Sequence, residues 1–375
     1  MSVLRPLVDF WVKPIRAEPL ALFRILLGLT ILGSQLTGIL LSMDLTCGPE
    51  GLRPIQVSDK WIEDQGRTLL LRGPVSLPLL GKWLPKELVE KYPRLGNWLE
   101  NWLPAPAQAA WAEWGEQLSS HYLLFWIYLG ALVFLTLGFR SRFMALIAAL
   151  LAATFHHRLP ELMNGGDALF RNGLYYLILA PSGATWSLDH LIRRRRAVAR
   201  GEPISDEPVL IEPWSVRLMQ LQLCFVYLFT GLVKLGEDYF NGVAIYWVLN
   251  DTAVSRWPYG VVPIPLFICR LMTWGTLAFE LTFIVLIWIK PLRRWLILAG
   301  LGLHLGILVT MEIGWFSQVT MCWYALFVSG ETLGRWERRG ESVGLVEGSP
   351  NDPSASWAQK DAITIGPSSP RAAGR

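Results

Sequence analysis

Eight stretches of this chain stay apolar over lengths close to the width of a bilayer: roughly 20–41, 121–138, 143–157, 168–181, 217–235, 266–289, 295–312 and 317–330. A helix needs about 20 apolar residues to cross the hydrocarbon layer. In lipid only helices and closed barrels satisfy every backbone hydrogen bond. The pattern predicts an all-α fold, a polytopic integral membrane bundle of about eight segments. The third and fourth runs are short enough to tilt, break or re-enter. Only 17% of the residues are charged, against about 25% in soluble domains, and the 19 Trp suit a membrane–water boundary.

Charge sets the expected orientation. Cations gather in residues 1–19, in Gly138–Arg142, in the Arg193–Arg196 run, in Lys290–Arg294 and in the tail. With a cytoplasmic N-terminus all five lie inside, an N-in, C-in arrangement that obeys the positive-inside rule. The Arg run between two apolar stretches is then an orientation signal, and no nucleic-acid partner is expected. The partner common to the whole chain is the lipid bilayer. Three regions follow: a cytoplasmic N-terminus (1–19), a transmembrane domain (20–330) and a disordered cytoplasmic tail (331–375) rich in Ser, Pro, Gly and Ala. Within the domain, residues 42–120 carry no basic excess but six Trp and several Pro. They are expected to lie as short helices on the outer interface. No cleavable leader is expected, because no A-x-A site closely follows the first apolar run.

Familiar motifs are missing: no Walker loop, dinucleotide fingerprint, G-x-S-x-G or H-E-x-x-H. The four Cys have no C-x-x-C spacing, and His156 and His157 are adjacent on a helix, so no metal site is expected. Asn250-Asp251-Thr252 fits a glycosylation sequon. No internal repeat supports a transporter.

The informative residues are polar groups inside apolar runs, which are costly in lipid and face a bundle interior or a wet cavity. By the expected topology they collect toward the outer side. Lys234 stands near the end of the fifth run, with Glu237 and Asp238 after it. Glu280 lies deep in the sixth. His304 is in the seventh, with Glu312 two turns on and nearly on the same face. Glu161, Asn164, Asp167 and Arg171 sit around the turn into the fourth run. One pocket opening outward would gather them. Each has a simpler reading. Lys234 pairs with Asp238 one turn away or snorkels, His304 bonds a neighbouring helix, and Arg24 snorkels from the inner end of the first run. Glu280 has no cation near it in sequence, leaving protonation or a partner among Arg24, Lys234 and His304.

Four patches in order carry a resemblance: P-L-A-L-F-R-I-L-L-G at 19–28; Asn164 in a polar turn, then W-S-L-D at 186–189; F-T-G-L-V-K-L at 229–235; and His304 followed by I-G-W-F at 313–316. Over roughly residues 18–330 the chain resembles the transmembrane domain of vitamin K-dependent gamma-carboxylases and their bacterial relatives, the HTTM domain. The resemblance implies a multi-pass protein, of a bacterial inner membrane if it follows those relatives. It makes Lys234 the base that deprotonates a vitamin K- or quinol-like lipid, and His304 a second catalytic residue. Asn164, Asp167, Arg171, Asp238, Glu280 and Glu312 would bind substrate or tune charge. Desolvation is what would make a lysine a useful base. Where those carboxylases have N-N-H, this chain has Asn164-Gly165-Gly166. A short tail stands in place of their large peptide-gripping domain, so protein carboxylation by this chain alone is not expected. Two functions compete: an enzyme acting on a lipophilic small molecule, and a non-catalytic scaffold that binds a lipid, an immunity target or another protein partner.

Overall fold

The computed structural model describes residues 5–43, 120–158, 163–203, 207–258 and 262–335, with scattered positions between 45 and 78. Most of the expected interfacial segment 42–120, Glu161, and the tail beyond Arg335 lie outside the described residues. Two compact units divide the chain at residue 328. The second contributes a helical turn, 330–335, capped where Thr332 N–H donates to Ser329 Oγ at 3.2 Å.

The first unit is helical. A short α1 (Arg5–Val12) precedes α2 (Glu18–Ser34), which starts on Pro19 and Glu18 and widens into a π-turn at Gln35–Ile39. Proline suits a first helical turn because its missing N–H would be unpaired there anyway. Then come α3 (His121–Leu137), α4 (Ser141–Arg158), α5 (Gly165–Leu179), a basic α6 (Leu188–Ala199) and α7 (Trp214–Val233). Two short helices, α8 (Glu237–Phe240) and α9 (Ala244–Asn250), lead to α10 (Leu266–Leu286), α11 (Lys290–Thr310) and α12 (Phe316–Trp323). The first run (as Glu18–Ser42), α7, α10 and α11 are long and apolar enough to cross a membrane, and α3 is a shorter apolar helix. The eighth run behaves differently. After Trp323 it tightens into a 3-10 turn, Tyr324–Phe327. The two pieces span about 20 Å, less than a bilayer core, and their side chains are largely buried.

The core forms where α2, α3, α4, α5 and α12 pack together with one face of α7. Trp323 is fully buried at its centre, edge-on to Phe23 at 5.1 Å and near Tyr176. Outside it, α10 lies on α7, and α11 is mostly turned outward. Large side chains on the outer faces, such as Phe134, Leu271 and Val309, are exposed. A soluble bundle would have to hide them, whereas lipid solvates them.

Sequence-distant basic segments meet at one end of this bundle. Ile15–Arg16 (β1) pairs antiparallel with Leu210–Ile211 (β4); a separate two-stranded sheet, Leu69–Leu71 (β2) with Leu77–Pro78 (β3), falls between them in sequence. Phe10 touches Trp288 just before α11, and its carbonyl accepts from Arg217 Nε at 3.3 Å. Arg142 Nε reaches Ala180 O at 3.4 Å, and Arg193 Nη2 donates to Gly183 O and Ala184 O, each at 3.0 Å. The N-terminus, the α3–α4 turn, the Arg run and the α10–α11 turn thus share one side.

Arg24 also belongs there, and the snorkelling expected of it is corrected: it is fully buried. Its guanidinium donates to the carbonyls of Ser182 and Trp186, the latter at 2.5 Å. Five fixed donors on a planar group suit a loop that presents several carbonyls. Gly28, one helical turn on, rests against Thr136 of α3, where a Cβ would stand 2.1 Å from Oγ1. The F-R-I-L-L-G and W-S-L-D patches are therefore two halves of one contact. The α3 helix closes this corner in a Schellman turn at Gly138, with Phe139 N–H bonded to Phe134 O at 2.9 Å. Gly138 has φ 75°, and a Cβ on it would lie 2.4 Å from Ser187 Cβ and 2.9 Å from Arg24. Gly138→Ala is expected to cost about 3 kcal/mol, combining left-handed strain with overpacking. Chemical or thermal unfolding of the purified protein in detergent measures it.

Candidate functional site

Lys234 is the C-cap of α7, and its Nζ lies 2.5 Å from Glu280 Oε1 on α10. The expected pairing with Asp238 does not form; Asp238 is exposed at the start of α8. The helices pack closely enough for the pair because position 231 is glycine. A Cβ there would stand 3.2 Å from Glu280 Cβ and 2.9 Å from Leu281. Lys234 is 28% exposed and Glu280 8%, so the carboxylate is the deeper partner. Beyond Lys234 the chain continues as α8 and α9, which pack on the first half of α10. Trp274 Nε1 donates to Phe240 O at 3.1 Å, and Tyr239 places its ring 5.8 Å from Lys234 Nζ. Glu280 Oε2 is buried and has no hydrogen-bond partner among the described residues.

His304 is buried on the inward face of α11. Its Nε2 lies 2.8 Å from the Tyr227 hydroxyl on α7, which in turn bonds the Tyr324 hydroxyl of the 3-10 turn. Gly300, one turn before His304, makes room for this chain: a Cβ there would lie 2.1 Å from Tyr324 Oη. His304 Nδ1 is buried without a partner among the described residues. Phe279, Phe283 and Phe316 wall the group with rings. Tyr227 touches Phe279, the neighbour of Glu280, and Gly231, one turn on from Tyr227, rests against Glu280 Cβ, so the ion pair and the hydrogen-bonded chain form one neighbourhood. Sequence reasoning missed both tyrosines. Tyr227, Gly231 and Lys234 are spaced i, i+4, i+7 on one helical face, which was a usable signal. Tyr324 had none.

Other expected members are elsewhere. Asn164 caps α5: its Oδ1 accepts from Gly166 N at 2.7 Å and Asp167 N at 3.3 Å, and Asp167 Oδ2 accepts from Asn164 N at 2.9 Å. This capping box occupies both side chains. Arg171 on α5 contacts His156 Nδ1 at 3.4 Å. Among the described residues, Asn164 is linked to the site through the I-G-W-F segment. Gly314 turns beside it with φ 60°, and Phe316 lies against both Gly166 and His304. A Cβ at Gly166 would be 2.7 Å from Phe316 Cα, so the position matched to the carboxylase histidine has no room for a side chain. Glu312 is also corrected. Helix α11 ends at Thr310 with Met311 extended, so Glu312 is carried outward to pair with Arg256 at 2.5 Å. Among the described residues no His, Cys, Asp and Glu group could hold a metal ion.

Two open clefts, about 570 and 380 Å³, lie by Arg140–Phe143 and by His190–Ala197. These are at the basic end, whereas Lys234 closes α7 about 30 Å along the helix from its start there.

Two outcomes follow. Gly300→Ala is expected to displace Tyr324, break its bond to Tyr227 and cost about 2 kcal/mol, read by thermal unfolding beside Tyr324→Phe. At the surface, the Arg256 hydrogen bond holds the Glu312 carboxyl below the ordinary glutamate value. That clamp is complete above the ordinary value and is lost as pH falls through the lowered one. Acid and Glu312→Gln should each speed hydrogen exchange at the Glu312 N–Val254 O and Arg256 N–Thr310 O bonds, with little change in melting temperature.

No curated protein and no solved structure matches the chain. The family model for the HTTM domain matches residues 109–331, more than half of its length. That span holds α3 to α12, the Lys234–Glu280 pair and the His304 chain. The chain is a membrane protein of the HTTM-domain family.

Proposed function

We propose that this protein is a carboxylase-like membrane enzyme in which Lys234 and Glu280 act together as the base toward a lipid-soluble acid, a quinol-type phenol. The carrying observation is the 2.5 Å pair with Glu280 Oε2 buried and unpartnered. A lysine in an ion pair is already protonated, so the pair works as a unit. A phenolic hydroxyl donates to Oε2, its O–H bond breaks, and the proton passes to the carboxylate. The positive charge then left on Lys234 faces the phenolate and stabilises it where it forms. His304, held through Nε2 by Tyr227, offers Nδ1 as a second polar contact. The rings of Phe279, Phe283 and Tyr239 give an apolar wall suited to a flat lipophilic substrate.

The gathering of basic segments at one end supports an N-in, C-in orientation in a bacterial inner membrane. The eight apolar runs are read as its membrane-embedded segments. Lys234 then lies toward the non-cytoplasmic side, and substrate reaches it sideways from lipid. A scaffold reading has its own support: the pair joins two helices directly, and the capping box uses Asn164.

Quinol-dependent oxygen uptake of the purified protein separates them. Lys234→Ala and Glu280→Gln are expected to lower it by about 10²-fold or more, the usual contribution of a general base, while folding is retained. The double exchange Lys234→Glu with Glu280→Lys should restore stability but not turnover. Full turnover in Lys234→Ala would rule out the enzymatic role, and a charge-exchanged protein with unimpaired biological activity would favour the scaffold.

A further inference from the structure

The basic end holds a feature that the proposed chemistry does not use. The 570 Å³ cleft lies between the α3–α4 turn and the loop before α6, lined by Arg140, Ser141, Arg142, Gly183, Asp189 and Arg193 among others. We propose that it binds a phosphate-bearing anion, supplied by the headgroup of an anionic phospholipid or by a soluble phosphate ester.

Three arginines border the cleft, and none has a carboxylate partner among the described residues. Arg142 and Arg193 each use part of the guanidinium on loop carbonyls, which ties the head to the loop and leaves other N–H donors for a ligand. Arg140 sits at φ 44°, a left-handed conformation uncommon for a bulky residue, directly before α4. Asp189 is the one acid among these lining residues.

A second observation points to a ligand. Ser141 is 4% exposed and lines the cleft, yet its hydroxyl has no hydrogen-bond partner among the described residues. A Cβ at Gly183 would come within 2.7 Å of that oxygen and 3.3 Å of Asp189 Oδ2, so the loop lies directly against the hydroxyl and a larger residue there would displace it. A buried hydroxyl in a cleft bordered by guanidinium groups without carboxylate partners, at a helix start, matches the donors a phosphate accepts from. The rim favours the lipid as source. Phe143, also lining the cleft, is 53% exposed, and Phe134 and Leu137 of the preceding helix are exposed too. Acyl chains can lie on these faces while the headgroup reaches the arginines, as in basic pockets between membrane helices.

The test uses the full chain in neutral detergent, with retained lipid counted by native mass spectrometry. The probes are phosphatidylglycerol and phosphatidylcholine, with glycerol 3-phosphate and inorganic phosphate assayed by thermal shift. The parent should hold phosphatidylglycerol at least about tenfold more tightly than phosphatidylcholine. Arg140→Gln with Arg142→Gln should remove that preference, Ser141→Ala should weaken it severalfold, and Arg140→Lys should keep most of it. Arg195→Gln with Arg196→Gln removes the same charge outside the cleft and should leave it unchanged. Binding of glycerol 3-phosphate or inorganic phosphate that depends on the same residues supports the site with a soluble source. Equal binding by parent and Arg140/Arg142 variant for every probe overturns the proposal, as does an equal loss in the Arg195/Arg196 variant. If the double variant does not fold, unchanged binding in Ser141→Ala overturns it.

Discussion

A helical bundle in lipid has no water to receive polar groups placed inside it, so each must find a partner within the protein. Arg24 meets this constraint by gripping the carbonyls of Ser182 and Trp186. Lys234 meets it through Glu280, and His304 through Tyr227. Arg24 binds structure to structure and ties α2 to the corner between α5 and α6. Each solution leaves one atom buried without a hydrogen-bond partner among the described residues: Arg24 Nε, Glu280 Oε2 and His304 Nδ1. Buried polar atoms without partners are rare and costly, and here two of them fall in one neighbourhood.

Glycine sets how closely these elements approach. Gly28 admits Thr136, Gly231 admits the backbone flank of Glu280, Gly300 admits the Tyr324 hydroxyl, and Gly166 admits the backbone at Phe316. Helices in lipid gain little from hydrophobic association and rely on close contact and interhelical hydrogen bonds. Small residues at these points are thus what allow the hydrogen-bonded chain to form. The same fact accounts for the departure from the carboxylase pattern at Gly166. The backbone at Phe316 fills the space that a side chain at Gly166 would need.

The two ends of the bundle have opposite characters. One collects arginines from segments far apart in sequence, and the other collects the α8–α9 connection and the Arg256–Glu312 clamp. Charge separation of this kind orients a membrane protein, and it keeps the cationic end apart from the ring-lined inner face of α7, α10 and α11.

Hydropathy alone made the helical, membrane-embedded class legible, because run length and backbone satisfaction leave few alternatives. Four short patches were enough to point to the family. Lys234 stood out because an ammonium in an apolar run demands an account. Its partner was one of several candidates: Glu280, 46 residues away, could pair with Lys234, Arg24 or His304, and Asp238 offered a nearer partner by spacing. Arg24 looked like a snorkelling residue until the loop at 182–186 folded over it. Glu312 seemed to share a face with His304 until the helix ended two residues short of it, and Tyr324 was one aromatic among many. Sequence by itself determined what must be buried and in which solvent. Tertiary structure decided which polar groups meet, because helix crossing and close approach at glycine are properties of pairs of segments, and no single segment encodes its partner.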